Sequence, residues 1–498
     1  MRAVRRIYQL FFLGLFFVLL YVATYDRLGG YPVRLFLDSD PLVAVGTVLS
    51  TGTLYRALWY GIPILVLTIF LGRFYCGWIC PLGTLQDLVS RLGRTTLKRK
   101  IEINSYRPYY KLKYLILLAF LTMAVLGVLQ VGLLDPIVLL TRAMSTSILP
   151  SIDRGDGLLF LSPRDFHLGW IAGLLLVAVL VAAFLRPRLW CKLLCPLGAL
   201  LGFFSRWSVF HIRRAIEGCD DCRVCVGHCR AGAEPDVSLR KSECMLLFNC
   251  RETCPTDAIT FGPDGEGLAY VVPGPDLSRR RITGALLAGL AAPLLIRSRQ
   301  PVVENPRPYL IRPPGSLPEP EFLERCIKCE ACMQICPTNV LQPAMTEAGV
   351  EGFWSPVLKN TIGYCEVNCV LCGEVCPTGA IQRITLDQKQ GRGEYEGRPV
   401  VLGTAFFDRG RCLPWAMNRP CVVCQEVCPT SPKAIKTEEV VVTENGRSIR
   451  LKRPQVVPDL CIGCGICEYA CPVIDRRAVY VTSVGESRSK KNVMILEK

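Results

Sequence analysis

Cysteine is the residue whose number and spacing most directly indicate chemistry in this chain. The 498 residues include 27 cysteines, an odd number, and most of these are separated from the next by two or three residues. This spacing is typical of metal ligation, whereas a disulfide framework requires an even number of cysteines. Every cysteine can be assigned to a ligand motif, so none remains for a disulfide or a nucleophile.

Four consecutive motifs, each ending in Cys-Pro, lie between residues 326 and 472. The first and last have the CxxCxxCxxxCP spacing in which three cysteines bind one cubane and the fourth binds a different cluster. The middle two are looser versions, so we predict four 4Fe-4S clusters. The motifs could exchange ligands in a nested way, first with fourth and second with third, or between adjacent motifs. The predicted ligands are Cys326, Cys329, Cys332, Cys336, Cys365, Cys369, Cys372, Cys376, Cys412, Cys421, Cys424, Cys428, Cys461, Cys464, Cys467 and Cys471.

A second cysteine group, between residues 219 and 254, departs from this spacing because Leu247 stands where a middle cysteine belongs. We predict one ordinary 4Fe-4S cluster and one site with only three thiolates. The three-thiolate site would hold a 3Fe-4S centre or a 4Fe-4S centre with a non-cysteine ligand, for which His228 is conceivable; a vestigial site is the alternative. The first set is Cys219, Cys222, Cys225 and Cys254, and the second is Cys229, Cys244 and Cys250.

The remaining four cysteines form two pairs within an internal repeat. The segments GRFYCGWICPLG and PRLWCKLLCPLG align without a gap, so Cys76 and Cys80 correspond to Cys191 and Cys195. If the repeat is expressed as a pseudo-twofold axis, the two pairs face each other and can hold one iron-sulfur cluster at the cytoplasmic membrane surface. The alternative is that CxxxCP only caps and packs helix ends.

The composition favours a membrane protein, since 51% of residues are hydrophobic and the mean hydropathy is +0.32. Four apolar runs approach the ~20 residues that a spanning helix needs; buried soluble helices are the alternative. The runs cover residues 8–24, 59–74, 114–134 and 168–185. Lys and Arg concentrate before the first run and between the second and third, which predicts a cytoplasmic N-terminus and cytoplasmic CxxxCP motifs. The net charge of +16 is thus partly a topology signal, and no nucleic-acid partner is expected.

The motifs and apolar runs predict a multi-domain chain. Residues 1–210 would form a four-helix transmembrane bundle with the paired CxxxCP motifs, and residues 211–275 a cytoplasmic ferredoxin-like segment. Residues 276–297 begin like a twin-arginine export signal and would form a fifth span; a buried helix is the alternative. A proline-rich linker, 298–320, would lead to an extracytoplasmic α+β ferredoxin-like domain with four clusters, 321–498. Within that domain, Asn445-Gly446 predicts a hairpin.

A quinone site requires a group near the membrane surface that can accept protons. Asp135 and His167 lie at the outer ends of the third and fourth predicted spans, with Arg142 nearby, and we predict that these three residues bind quinone. Ordinary span-end or loop positions are the alternative. Haem is not expected, because the chain has only three histidines, none in the middle of a span, and no CxxCH motif.

The paired CxxxCP part resembles membrane polyferredoxins of the NapH and MauN type, which are related to the nitrous oxide reductase accessory flavin protein. Residues 278–498, from SRRR through YCEVNCVLCGEVCPTGAI and RCLPWAMNRPCVVCQEVCP, resemble the exported ferredoxin subunit of the NapG and MauM type. The resemblance implies that two proteins are fused here. It also implies quinol oxidation at the membrane and electron delivery to a periplasmic redox partner. Leu247, and Arg230 in place of the usual proline, depart from the family pattern.

These expectations combine into one function. The chain would be a multi-pass protein of the cytoplasmic membrane, the electron-transfer subunit of a quinol dehydrogenase or a related oxidoreductase complex. Its partners would be the quinone pool and an extracytoplasmic redox subunit. Two alternatives are a maturation or regulatory electron donor for another redox enzyme, and a conduit from a cytoplasmic ferredoxin.

Overall fold

The computed structural model describes most of the chain at the level of individual residues. The described ranges are 2–53, 55–93, 96–153, 164–236, 238–263, 271–272, 274–275, 277–298, 308–444, 447–489 and 492.

The first 210 residues are helical. The helices are α1 (Arg2–Val22), α2 (Leu35–Asp38), α3 (Pro41–Thr51), α4 (Gly61–Leu71), α5 (Phe74–Trp78), α6 (Pro81–Val89), α7 (Leu97–Asn104), α8 (Leu112–Val125), α9 (Pro136–Ala143), α10 (Leu149–Ile152), α11 (Trp170–Leu185), α12 (Leu189–Leu193) and α13 (Pro196–Phe204). Short 3-10 or π turns cover Arg56–Tyr60, Pro108–Lys111, Val131–Leu133, Met144–Ile148 and Ser205–Trp207. Helices α6 and α13 begin at the prolines of the two CPLG motifs, where a missing N–H costs nothing.

Two helical stretches among the described residues, Arg2–Val22 and Leu97–Val125, are long and apolar enough to cross a membrane. The second is broken between α7 and α8, where residues 105–107 leave the helical conformation. Shorter apolar helices cover Pro41–Thr51, Leu58–Leu71, Pro136–Ile152 and Trp170–Leu185. Each predicted span therefore contains a helix, and the four-span bundle remains a prediction.

The third predicted span, 114–134, is placed too far along the chain. Helix α8 ends at Val125, and Gly127 then adopts a φ of +75°, which reverses the backbone and which glycine adopts at little cost. The residues after it form a loop and a short turn that contact the C-terminal domain, where Gln130 Nε2 donates to the Glu351 carbonyl at 3.3 Å.

The middle segment and the C-terminal domain contain short helices and two-stranded sheets. The helices are α14 (Val224–His228), α15 (Asn249–Glu252), α16 (Arg279–Ser298), α17 (Glu319–Arg325), α18 (Ala331–Ile335), α19 (Leu371–Glu374), α20 (Leu386–Gln390), α21 (Leu413–Ala416), α22 (Val423–Glu426) and α23 (Ile466–Tyr469). The strands are β1 (His211–Arg214), β2 (Leu239–Arg240), β3 (Ile259–Gly262), β4 (Val271–Val272), β5 (Leu341–Pro343), β6 (Pro356–Leu358), β7 (Thr404–Phe407), β8 (Ile435–Glu444), β9 (Arg447–Val456) and β10 (Val479–Thr482). Further short turns cover Gly393–Tyr395 and Pro458–Leu460.

The strand pairs join segments that flank the cysteine motifs. Strand β1 pairs with β3, β5 with β6, β7 with β10 and β8 with β9, all antiparallel, and β2 pairs with β4 in parallel. The pairing of β8 with β9 runs from Ile435↔Val456 to Glu444↔Arg447. The predicted turn residues Asn445 and Gly446 lie outside the described residues, between these two strands.

The two cysteine-rich segments lie at opposite ends of the helical part. Near the start of α1, Arg5 Nη1 donates to the Leu247 carbonyl at 2.7 Å. Near the end of the same helix, the Leu20 carbonyl accepts from Gln334 Nε2 at 2.7 Å. Helix α1 thus reaches from the 219–254 segment to the C-terminal domain.

Helix α16, the predicted fifth span, packs closely against α8. A Cβ atom at Gly289 would lie 1.6 Å from Thr122 Oγ1 and 2.8 Å from the Ala119 carbonyl oxygen, so only glycine permits this approach. At the end of α16, Arg297 Nη2 donates to the Gly127 carbonyl at 3.2 Å.

The predicted linker 298–320 is too long. Residues 299–307 lie outside the described part of the chain, but Leu310 and Ile311 are buried within the C-terminal domain. Arg312 is buried, forms an ion pair with the half-buried Glu319 and donates to Ser355 Oγ at 2.8 Å. Residues 308–320 therefore belong to the folded domain, because their apolar and charged side chains have partners there.

Candidate iron-sulfur sites

The first two motifs of the C-terminal domain surround two cavities. One contains about 360 Å³ of space not filled by protein atoms and defines site I; the other, also about 360 Å³, defines site II. Site I consists of Cys326, Cys329, Cys332 and Cys376. Site II consists of Cys336, Cys365, Cys369 and Cys372. Each motif therefore gives its final cysteine to its neighbour's site.

The third and fourth motifs are related in the same way. Site III surrounds a cavity of about 330 Å³, and site IV is identified by the mutual electrostatic influence of its thiols. Site III consists of Cys412, Cys421, Cys424 and Cys471. Site IV consists of Cys428, Cys461, Cys464 and Cys467. The four cysteines of each site match the ligand set of a 4Fe-4S cluster.

Of the two pairings that the sequence left open, the structure has the adjacent one. The physical reason lies in the segments beside the motifs. Strand β7 leads into the third motif and pairs with β10, which follows the fourth. A bridge between Ser316 and Ile381 likewise joins the segments that precede the first motif and follow the second.

Contacts between the sites order them as I, II, IV, III. Sites I and II exchange ligands, and the thiol of Cys332 in site I interacts electrostatically with that of Cys372 in site II. Sites II and IV meet where the Cys365 amide donates to the Cys464 carbonyl at 2.8 Å. Sites IV and III exchange ligands in turn. The result is a line of four sites.

The thiols surround spaces and do not converge on a point. No group of three or more His, Cys, Asp or Glu side chains that could hold a metal ion is found in the described part of the chain. A cubane separates its four thiolates by its own width, so its ligands surround a space and not a single ion. Burial raises the pKa of the Cys326 thiol to about 11 and that of Cys412 to about 11. Cluster binding must therefore displace protons from these thiols.

The two CxxxCP pairs come together in the interior of the helical part. Their four thiols act on one another electrostatically, and each cysteine is at most 6% exposed. We call this group site V; it consists of Cys76, Cys80, Cys191 and Cys195. Site V lies in the same continuous apolar core as Cys329 of site I. It is an enclosed site, and not one at the surface of the helical part.

Site V is flanked by two arginines that were not predicted from the sequence. Arg73 and Arg188 each stand three residues before the first cysteine of a pair, and both are fully buried. Arg188 Nη1 donates to the Cys76 carbonyl at 2.7 Å. Arg73 reaches the other copy, where its Nη2 lies 2.8 Å from the position a Cβ of Gly198 would occupy. The signal was present in the repeat, because both copies contain this arginine.

Arg188 is held by a buried carboxylate. Its Nε and Nη2 donate to the two oxygens of Asp87 at 2.9 and 2.8 Å. Burial alone would raise the pKa of Asp87, but the charges of Arg188 and Arg230 lower it further than burial raises it. Asp87 is therefore ionised and orients the guanidinium beside the thiols.

The 219–254 segment brings its three-thiolate set together. Cys250 interacts with Cys229 and Cys244 and also with Cys225 of the other set. Leu247 packs on α5, where its Cδ2 lies 3.3 Å from the position a Cβ of Gly77 would occupy. Among the other set, Cys222 is exposed; the grouping of Cys254 with it stays a prediction.

The side chains near Cys229 include one unexpected cation. Lys192 is fully buried, interacts with the Cys229 thiol, and its Nζ has no hydrogen-bond partner within the described structure. His228, the conceivable extra ligand, is half-buried, and its carbonyl accepts from Asn249 Nδ2 at 3.5 Å.

The three predicted quinone residues do not share one environment. Asp135 and Arg142 are buried and interact with each other. His167 is exposed, and its backbone N–H donates to Gln342 Oε1 at 3.1 Å. Asp135 and Arg142 can therefore act together in an enclosed place, whereas His167 belongs to the contact with the C-terminal domain.

Three regions of the chain match family models described as 4Fe-4S binding domains. One match covers residues 58–100 and 166–215, and so includes both CxxxCP pairs of site V. The other two cover residues 322–342 and 453–478, which contain the first and the fourth of the C-terminal motifs.

Related proteins include several named as ferredoxin-type proteins and one named as a putative electron transport protein. The methylamine utilization ferredoxin-type protein MauM of Methylorubrum extorquens is 34% identical over 39% of this chain and 80% of its own length. The ferredoxin-type protein NapG of Haemophilus influenzae is 34% identical over 40% of this chain and 67% of its own length. The electron transport protein YccM of Escherichia coli is 30% identical over 40% of this chain, and the match spans about half of YccM, 54%. No solved structure matches.

Proposed function

Because this chain belongs to the family of ferredoxin-type iron-sulfur proteins that includes MauM and NapG, we propose that it is a membrane-bound conduit that links the quinone pool to an extracytoplasmic oxidoreductase. The observation that carries the proposal is the order of the thiol sites. They run from the 219–254 segment, through site V, to sites I, II, IV and III. Electron transfer belongs to the clusters, and the protein sets their positions and potentials.

The surface of the helical part supports a membrane location. Large apolar side chains on the outer faces of α1 and α11 are exposed, including Ile7 and Phe11 at 67% and 62% and Leu174 at 59%. A large apolar surface promotes aggregation in water, whereas apolar side chains on the outside of a helix are expected where it faces lipid. Helix α1 has 21 residues, which gives it a length of about 30 Å, close to the thickness of the hydrocarbon layer.

Aromatic residues indicate one membrane interface, and the basic loops set the orientation. Trp59 and Tyr60 precede α4 and Trp170 begins α11; all three are about 60% exposed. They lie at the ends of the helices that face the C-terminal domain, where the amphipathic rings suit a membrane interface. The C-terminal domain would then lie outside the cytoplasm, and the 219–254 segment inside it.

An apolar cavity beside site I is the place where quinone would bind. It is open to solvent on one side and lies between the helical part and the C-terminal domain. Its walls come from α1, from the loop before α3, and from Ala331 and Gln334 beside the site I thiols. Apolar walls with a few polar groups are typical of small-molecule sites. This position is an alternative to the one predicted from Asp135, Arg142 and His167.

A titratable carboxyl lies next to this cavity. Arg34 lines the cavity and its Nε lies 2.9 Å from Asp38 Oδ2. Burial raises the pKa of Asp38 to about 7, against the opposing effect of Arg34. A group with this pKa is suited to accept a proton from a quinol near neutral pH.

The substitution Leu20→Trp tests the proposal, because Leu20 is buried and lines the cavity. We expect a reduced quinone analogue to reduce the clusters of the purified wild-type protein, as measured by EPR and bleaching of visible absorbance. In Leu20→Trp, the rate should fall at least tenfold, on the order of 1.4 kcal/mol, while dithionite still reduces every cluster. The matched control is Leu10→Trp on the exposed face of α1. Equal rates in the two variants would exclude this cavity, and a wild-type protein that quinol does not reduce would exclude the quinone link.

A further inference from the structure

The internal repeat extends to a second pair of residues, on the side of site V nearer to site I. Asp40 precedes Pro41 and Asp135 precedes Pro136, and each Asp-Pro begins a helix, α3 or α9. Asp40 Oδ1 accepts from the Leu42 amide at 2.8 Å. Asp135 Oδ1 accepts from the Ile137 amide at 2.9 Å. The two aspartates are therefore equivalent capping residues in the two halves of the repeat.

The second oxygen of each aspartate is not used in capping. Both side chains are fully buried, and in the described structure neither Oδ2 receives a hydrogen bond from a donor group. The two carboxyl groups instead lie within hydrogen-bonding reach of each other. Two ionised carboxylates in contact repel each other. The carboxyl groups of Asp40 and Asp135 can therefore form a hydrogen bond only if one of them is protonated.

Burial raises the pKa of Asp40 well above its usual value, and the neighbouring Asp135 raises it further. Burial also raises the pKa of Asp135 to about 6, while its backbone donors and Asp40 oppose the shift. Such a coupled pair loses its protons in two steps that belong to the pair.

The pair lies between site V and site I. On one side, Tyr75 interacts with both aspartates and with Cys80, and Cys195 interacts with Asp135. On the other side, Arg142 interacts with Asp135 and also with Cys326 and Cys329. Among the described residues, Tyr75, Cys195 and Arg142 are the titratable and charged groups that interact with the pair. Neither aspartate is itself a predicted ligand.

We propose that Asp40 and Asp135 hold one shared proton when the flanking clusters are oxidised and take up a second when one of them is reduced. This inference rests on the proposed electron-transfer function. An electron supplied by a quinol or a reduced carrier protein would add one negative charge to a cluster held by the thiols of site V or site I. One proton converts the acid-carboxylate pair into two carboxylic acids, so the local charge is restored. Oxidation of the cluster releases the proton again.

The expected signature is a cluster potential that depends on pH. A proton bound with each electron shifts the potential by about 59 mV per tenfold change in proton concentration. The experiment is an EPR-monitored titration of the full-length protein with dithionite and mediators between pH 5.5 and 8.5, on the order of the range over which coupled carboxyls with raised pKa values titrate. No quinone or partner is needed. We expect the reduction potential of one flanking cluster to depend on pH in the wild type and in the control Asp26→Asn, which alters an exposed residue. In Asp135→Asn, this dependence should be lost.

Each outcome decides the proposal. Wild-type potentials that do not change with pH, or an Asp135→Asn variant that keeps the full dependence, would overturn it while leaving the electron-transfer function intact. If Asp135→Asn assembles no clusters, the wild type alone is decisive: reduction should produce the infrared carbonyl band of a new carboxylic acid that shifts in D₂O, and its absence would refute the pair. A wild-type protein without iron or sulfide would instead refute the function itself.

Discussion

At the scale of residues, the thiols of site V are distinguished by the cations beside them. Arg73 and Arg188 extend from one half of the repeat to the other, and each interacts with thiols of both halves. A buried guanidinium keeps its charge, and here Asp87 fixes its orientation. The pairing of Arg188 with Asp87 is buried on both sides, which makes the loss of either partner costly.

The substitution Arg188→Gln should destabilise the protein by about 3–5 kcal/mol, because it leaves Asp87 as a buried charge without its main partner. The pH dependence should change as well. In the wild type, the lowered pKa of Asp87 contributes stability that is present above the carboxyl's unfolded pKa and is lost as pH falls through the folded value. Without Arg188, burial dominates, the pKa of Asp87 rises, and the variant should become more stable as pH is lowered.

Thermal unfolding across pH 4 to 8, roughly the range around the unfolded Asp value, measures both effects. The double variant Arg188→Gln with Asp87→Asn is the control, since it removes the uncompensated charge and should recover part of the loss. A single variant with wild-type stability would show that the ion pair does not matter.

At the scale of elements, the contact between α16 and α8 depends on one glycine. Gly289→Ala should separate the two helices, because the new Cβ would overlap Thr122 Oγ1. Gly284 is the matched control on the same helix, since a Cβ there meets nothing within 4 Å. Alanine at that position should be neutral or stabilising by up to about 1 kcal/mol.

The measurement is thermal unfolding of the two variants in detergent, with limited proteolysis after residue 298 as a second readout. We expect a lower unfolding temperature and faster cleavage only for Gly289→Ala. Similar behaviour of both variants would mean that α16 does not pack on α8 as described.

The sequence allowed much of this arrangement to be predicted, and the exceptions have physical reasons. Cysteine spacing groups three ligands of each cluster because those residues are close along the chain. The fourth ligand depends on strand pairing between distant segments, which spacing does not encode, and so the sequence left the nested and the adjacent order both open. Asp40 was missed although it repeats Asp135, because its significance arises only when α3 and α9 bring the two carboxyls together. The role of Leu247 depends likewise on its contact with α5.

At the scale of the whole molecule, the order I, II, IV, III makes site III the end of the line. We expect Cys369→Ser, which alters site II, to prevent quinol from reducing sites IV and III while site I is still reduced. Cys421→Ser alters only the last site and should leave the reduction of sites I, II and IV unchanged. Both cysteines are half-buried, so the two substitutions disturb packing to a similar degree.

EPR after a single addition of quinol distinguishes these outcomes, and dithionite reduction checks which clusters are assembled. If Cys369→Ser lost only the site II signal, electrons would reach sites IV and III by another route, and the linear order would be wrong.

The exchange of final cysteines between adjacent motifs also determines how the C-terminal domain can be divided. All ligands of sites I and II lie between residues 326 and 376, and all ligands of sites III and IV lie between residues 412 and 471. A nested order would have left no position at which the chain could be cut without breaking a site. Here the ligands of each pair of sites lie within one stretch of the chain, so each pair could be loaded or lost as a unit of two clusters while the two stretches share one apolar core.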